Sequence, residues 1–587
     1  MELRLEGDRD DEIDLNFGVF AVGCMSRMKR FIHLSLALST ISFVAADTPL
    51  EPPRQAEDAI DRDGLLEHIK VLGSDGFEGR APGSKGEEQS VQYISEQFKK
   101  LGLKPGNPNG IYTQEVPLAG ILGTPAAAFA VGDKRMELHS PSQFVAFTQR
   151  ITPEVEVKDS DVVFVGYGVV APEYGWDDFK GLDVKGKTLI FLINDPPLPD
   201  PKGPSKLDDK MFKGKAMTYY GRWSYKYEIA AEKGAAAAVI VHETIPAAYP
   251  WSVVENSNAK QNFVIDAPDK NMGTVGVRSW ITLDTAKKLF AAAGQNYDEL
   301  KKAALSREFK PVSLGAKADF SLRNQIQHFK SHNVVGRFEG SDPKRKDEYI
   351  IYSAHWDHLG RDSHLQGDQI YNGAIDNASG VASLLEIAQA FTRLSQAPPR
   401  SLLFMATTAE EANLLGAKYY AEHPLYPLDH TLADINIDCV NPWGKTRDIE
   451  DISGGNSTLD DLLAQAAARS GRTAVPNSEP EKGSFFRADN FEFAKVGVPA
   501  LYIGSKPKDY VGQPADYGQK KSDDYTLHHY HQVSDEVNPT WDLSGAVEDT
   551  RLLFEIGCQV AQADQFPAWL PGSEFKARRD KMMAPKK

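Results

Sequence analysis

Along the chain the spacing of apolar positions changes character twice. Asp61–Leu72 and Glu87–Leu101 carry the pattern of amphipathic helices. In the second, Val91, Ile94, Phe98 and Leu101 fall on one face and Gly102 closes it. From about Ile151 the pattern shifts to short β-runs punctuated by glycine, VVFVGYGV (Val162–Val169) and KTLIFLIN (Lys187–Asn194). A helix at Tyr225–Lys233, a strand AAVIVH (Ala237–His242) and a helix at Asp284–Ala293 follow. From about Asn333, strand and helix alternate. Strands are predicted at Tyr349–Ala354, Leu402–Ala406, Ala433–Asp438 and Pro499–Ile503, and helices at Ser379–Ser395, Leu414–Ala421, Thr458–Ser470 and Gly545–Ala563. Such alternation predicts an α/β domain with a largely parallel core sheet.

Residues 151–310 stand outside that alternation and read as an inserted, β-rich domain between two parts of one α/β domain, 57–150 and 311–565. The basic tail 576–587 is expected to be disordered. At the other end, Arg27, Lys29 and Arg30 precede an apolar run, Phe31–Val44, and then Val44-Ala45-Ala46. This is the layout of a cleavable export signal over residues 1–46, cut after Ala46. The acidic stretch before it is unusual for such a signal, and Met25 or Met28 as the true start removes the oddity. The expectation is a secreted or periplasmic protein whose mature chain has no membrane span.

Composition narrows the function classes. The 587 residues are 41% hydrophobic and 25% charged, which fits a globular protein rather than a disordered one. The net charge of −16 and the lack of a basic stripe with interleaved aromatics exclude nucleic acid as the expected partner. The three cysteines, Cys24, Cys439 and Cys558, form no CxxC or Cys/His cluster, so no thiolate metal site is expected. Whether Cys439 and Cys558 pair is open at this level.

The chemistry gathers at the predicted strand ends. His355 and Asp357 follow YIIYSA, Asp376 lies in YNGAIDNASG, Glu410 and Glu411 follow LLFMATTA, Asp438 ends DINID, and His531 lies in TLHHYHQVSDE. In open α/β sheets functional groups collect outside the carboxyl ends of strands. A hydrolytic two-zinc site needs imidazoles and carboxylates, one of them bridging, and a further carboxylate free to take a proton from bound water. The pair Glu410-Glu411 suits that division, one glutamate reaching the metal and its neighbour the water.

These segments, SAHWDHLG, YNGAIDNASGVASLLEIA, ATTAEEANLLGAKYY, DINID, SFFRADNFEFAKVGVPALYIG and YHQVSDE, resemble the dizinc exopeptidases that include secreted leucyl aminopeptidases, glutamate carboxypeptidase II and the transferrin receptor. Ser74–Pro105 resembles that family's first helices, and Tyr220–His242 resembles the protease-associated domain that several members carry. The resemblance implies a zinc-exopeptidase α/β/α sandwich with a mixed, largely parallel sheet, and a protease-associated domain inserted over 151–310. It implies two zinc ions. His355 and Asp438 would bind one, Glu411 and His531 the other, with Asp376 bridging and a cis bond between Asp376 and Asn377. Glu410 would be the general base, Asp357 would orient His355 from behind, and Tyr530 would polarise the scissile carbonyl.

A second dizinc family, of acylases and carboxypeptidases, inserts its extra domain after the Glu-Glu segment. Here the block precedes His355, which favours the first. The expected activity is removal of N-terminal residues from peptides. The alternatives are a carboxypeptidase of the same family, for which Arg487 is a candidate carboxylate-binding group, and an inactive receptor-like binding protein. The aromatic run Tyr219–Tyr227 has two readings, a wall of the substrate cleft or the inserted domain's own core. Oligomeric state is not legible in the sequence.

Overall fold

The computed structural model describes residues 54–258 and 261–585. The expected export signal, its cleavage point and Cys24 lie outside the described residues. Eleven strands organise the fold: β1 Thr113–Val131, β2 Phe144–Phe147, β3 Glu154–Phe164, β4 Thr188–Leu192, β5 Ala237–His242, β6 Val277–Thr282, β7 Val312–Phe338, β8 Tyr349–His355, β9 Ser401–Thr407, β10 Thr431–Asn436 and β11 Ala500–Tyr502. They join one sheet in the order β11-β10-β8-β9-β7-β3-β4-β5-β6-β2, with β1 paired along β7.

The strands β11, β10, β8 and β9 run parallel. Every residue of β8, YIIYSAH, is buried, as expected of a strand covered on both faces. Its side chains alternate between two cores. Ile350, Tyr352 and Ala354 pack with helices Gly380–Thr392 and Ser544–Gln562, while Tyr349 and Ile351 pack with Ala417, Tyr420 and Phe493 from the opposite layer. That alternation makes the α/β/α sandwich, with antiparallel β7 at one side of the parallel set.

The predicted helices form within three residues of expectation at each end, and a further helix, Tyr517–His528, was not predicted. Asp61 caps Arg62–Leu72 by accepting from the Gly64 amide at 2.8 Å. Two further features depart from the sequence reading. The antiparallel pairing of β1 with the 27-residue β7 was not predicted, because β7 mixes polar and apolar residues without one continuous period. Its first part pairs with β3 and its last part with β9, so it runs from one core into the other. The second departure is a correction: Lys576–Met583 is a helix, not a disordered tail. Arg579 is buried and donates to the carbonyls of Leu428 at 3.0 Å and Thr431 at 2.8 Å, while Phe575 packs on Trp569.

A second apolar core, assembled from residues between Ala127 and Leu322, surrounds β3 to β6. Of the aromatic run, Tyr220, Tyr225 and Tyr227 belong to that core, and Tyr219 and Trp223 pack partly buried against it. Tyr219 also faces Phe491 of the other half, with ring centroids 5.3 Å apart. Cys439 and Cys558 are both free. No described helix is long and apolar enough to cross a membrane.

Candidate metal centre

Five chain segments converge beyond the carboxyl ends of β8, β9 and β10, those of His355, Asp376, Glu410-Glu411, Asp438 and His531. His355 is the last residue of β8 and is 2% exposed. Its Nε2 lies 3.3 Å from Asp376 Oδ1, 3.4 Å from Asp438 Oδ1 and 3.9 Å from Glu410 Oε2. The other oxygen of Asp376, Oδ2, lies 3.2 Å from His531 Nε2, which is also 3.2 Å from Glu411 Oε2. One carboxylate thus faces two separate groups, one with His355 and Asp438, the other with His531 and Glu411.

The loops are held by their own hydrogen bonds. Asp535 accepts from the amides of Ile375 and Asp376, each at 3.1 Å, and from the Tyr525 hydroxyl at 3.2 Å. The Asp376–Asn377 peptide bond is cis, as the resemblance implied. The Asn377 side chain donates to the Ile437 carbonyl at 3.0 Å and accepts from the Cys439 amide at 2.9 Å, which ties the Asp376 loop to Asp438.

Asp357 is placed differently from expectation. The atom near His355 Nδ1 is the main-chain oxygen of Asp357, at 3.1 Å, whereas its carboxylate is 3.8 Å away. That carboxylate instead accepts from the Glu410 amide at 3.1 Å and the Glu411 amide at 3.4 Å. Asp357 therefore fixes both the imidazole and the Glu-Glu turn.

Among the described residues the Glu410 carboxylate has no hydrogen-bond partner, and burial, reinforced by Asp438 and Glu411, pushes its proton affinity well up. Burial opposes charging His531, yet Glu411 and Asp376 raise it to about 10. Tyr530 stands at the rim, 40% exposed, its ring stacked on His531 at 3.9 Å. Lys506 lies 5.7 Å from the Tyr530 ring. Arg487 is exposed and has no ion pair among the described residues.

Sequence reasoning missed two residues. His358 is buried, and its Nδ1 sits 2.6 Å from Glu411 Oε1. The signal was a second imidazole three positions after His355 in HWDH. Arg80, fully buried behind the loops, was also missed. The donor set fits metal binding. One ligand atom each from His355, Asp376 and Asp438 lie within 4.8 Å of one another, as do those of His358, Asp376 and Glu411. Imidazoles and carboxylates in threes, two of each three buried and the third half-buried, suit zinc.

Residues 333–554 match the model of Peptidase family M28. Probable leucine aminopeptidase 2 of Aspergillus oryzae is 24% identical over 389 residues, which cover 66% of this chain and 60% of that protein. Aminopeptidase NAALADL1 of Mus musculus is 34% identical over 129 residues, 21% of this chain and 16% of that one. The matched regions thus span less than two thirds of either relative. Among solved structures, an aminopeptidase from Aneurinibacillus sp. strain AM-1 is 20% identical with a TM-score of 0.47, covering 87% of this chain and 97% of that one.

Proposed function

With residues 333–554 a peptidase family M28 domain as the premise, we propose that this protein is a dizinc aminopeptidase that removes N-terminal residues from peptides. The observation that carries the reading is the split carboxylate of Asp376, its oxygens 3.3 Å from His355 and 3.2 Å from His531, beside a Glu410 carboxylate that makes no hydrogen bond among the described residues. His355, Asp376 and Asp438 would hold one zinc, and Asp376, Glu411 and His531 the other. Zinc bound there supplies Lewis acidity that makes hydroxide available near neutral pH. Glu410 takes the proton released from water and passes it to the leaving amine. Asp357 keeps that glutamate in place through the two amides it accepts. The Tyr530 hydroxyl, at the open side of His531, donates to the carbonyl oxygen as charge develops there.

Residues 151–310 then form a protease-associated domain on the substrate side, and cleavage after Ala46 exports the mature chain. The test is a panel of aminoacyl-nitroanilides and N-blocked peptides, with zinc content measured alongside. Cleavage of free-amine substrates, loss on chelation and two zinc ions per chain support the reading. Equal cleavage of N-blocked peptides sinks it.

A carboxypeptidase reading draws on one observation. Arg222 and Arg487 have no ion pair among the described residues, and burial together with the repulsion of Arg487 lowers Arg222 to about 10. Two cations close enough to repel each other, neither in an ion pair among the described residues, suit a substrate carboxylate. Amidating the C-terminus of a peptide substrate abolishes turnover under this reading and leaves it unchanged under the first.

A further inference from the structure

Arg80 ends the turn Asp75–Arg80, with φ +51, and none of its surface reaches solvent. The turn is wedged in place. A Cβ on Gly79 would lie 2.3 Å from the Gly360 carbonyl oxygen and 2.7 Å from that of Tyr371. From there the guanidinium reaches three separate segments. Nε donates to the Trp356 carbonyl at 2.8 Å, Nη1 to Leu72 at 2.7 Å and Asn372 at 2.6 Å, and Nη2 to Gly373 at 2.9 Å. The Arg80 carbonyl accepts from the His358 amide at 3.3 Å.

Three of the four carbonyls are those of the metal-centre loops, and the fourth, Leu72, ends helix Arg62–Leu72. Trp356 follows His355 directly, and Asn372 and Gly373 lead into Asp376. Both loops are irregular and buried, so their carbonyls have no strand or helix partner and need donors from elsewhere. Burying a cation without a carboxylate at ion-pair distance is costly, and no such carboxylate contacts Arg80 among the described residues. An arginine persists there because its planar fork meets four fixed acceptors at once, which the single ammonium of lysine does not do. Its charge, kept at neutral pH although burial lowers it to about 10, also lies behind Asp535, Asp357, Asp376 and Glu411 and offsets their mutual repulsion.

We propose that Arg80 is a positioning residue for the metal centre, holding the His355 loop and the Asp376 loop at one fixed separation before any metal binds. The proposal rests on the metallopeptidase reading above. In the folded protein, Arg80→Lys keeps the charge and loses the fork. It is expected to weaken zinc binding, followed by chelator competition, by at least about 10-fold, the usual scale for losing a group that orients ligands. At saturating zinc, kcat should fall while KM changes little. Wild-type zinc affinity and kcat in Arg80→Lys, with only a lower melting temperature, overturn the proposal and leave Arg80 as a structural clamp. If the variant does not fold, hydrogen exchange on the wild-type chain decides. Segments 355–358 and 372–376 should remain protected after zinc is stripped, and loss of protection in both overturns the proposal. A wild-type chain that binds no zinc and cleaves no peptide is a failure of the metallopeptidase reading, and it is seen before any variant is made.

Discussion

Two neighbouring glutamates are given different work by a few ångströms. Glu411 has both oxygens engaged, one 2.6 Å from His358 and one 3.2 Å from His531, while Glu410 has only a looser contact, 3.9 Å from His355. Glu410→Gln should therefore keep zinc and fold while kcat falls by about 10²-fold or more, the scale of a lost general base. Glu411→Gln should lower metal content instead. Zinc analysis and steady-state kinetics on the two variants check this, and the reverse pattern exchanges their roles. The two histidines near Glu411 are separable in the same way. The short His358–Glu411 contact is a hydrogen bond, whereas His531 faces two carboxylates at 3.2 Å. His531→Gln should release the second zinc, and His358→Gln should retain it with reduced affinity. Equal zinc loss in both would make His358 a ligand.

Helix Gly380–Thr392 lies at the centre of the sandwich, and its length is nearly all buried. It carries a carboxylate, Glu386, which accepts only weakly from the Asp61 amide at 3.3 Å. Burial, aided by Asp61 and Glu67, raises Glu386 to about 7. The sign follows from linkage. Above its ordinary value the unfolded chain has released a proton that the folded chain still holds. The stability that Glu386 contributes is therefore present below about pH 4.5 and is lost as pH rises through about 7. Glu386→Gln removes the ionisation. It should raise the melting temperature at pH 8 relative to wild type, with the advantage shrinking towards pH 4.5. Parallel melting curves at both pH values would show that the group ionises freely in the fold. The sequence reading placed this helix at Ser379–Ser395 and overran its end at Thr392, because a helix buried on nearly every side has little amphipathic period to mark where it stops.

Across the whole molecule the two cores share a backbone. Strand β7 contributes Leu322 to one and Val334 to the other, and β1 pairs along it from Val131 to Thr113. Further contacts bind the halves: Lys495 meets Glu228 at 2.9 Å, Lys213 meets Glu574 at 3.0 Å, and the Met217 amide donates to Pro480 at 3.0 Å. A lesion in one core should then lower the stability of the whole. Phe191, fully buried in the second core, is a suitable site. Phe191→Ala should cost about 3–5 kcal/mol and shift a single calorimetric transition that also ends peptidase activity. Two transitions, with activity following only the unshifted one, would mean that the halves fold independently.

The sequence by itself determined the α/β class, the positions of most helices and of the parallel strands, and the residue types gathered at strand ends. These are local properties: a period of 3.6 or 2, a buried run, or a polar residue just past it is written in consecutive positions. The match of residues 333–554 to the family M28 model was within reach for the same reason, since it rests on short contiguous segments. Tertiary structure alone decided the rest. The use of the Asp357 main-chain oxygen rather than its carboxylate, the pairing of His358 with Glu411, and the reach of Arg80 to Trp356, 276 positions away, depend on where distant loops come to rest. The long β7 and the helix Lys576–Met583 belong here too. Neither has a pattern of its own strong enough to predict it, and each is held by partners far along the chain, β1 and β9 for the one and the carbonyls of Leu428 and Thr431 for the other.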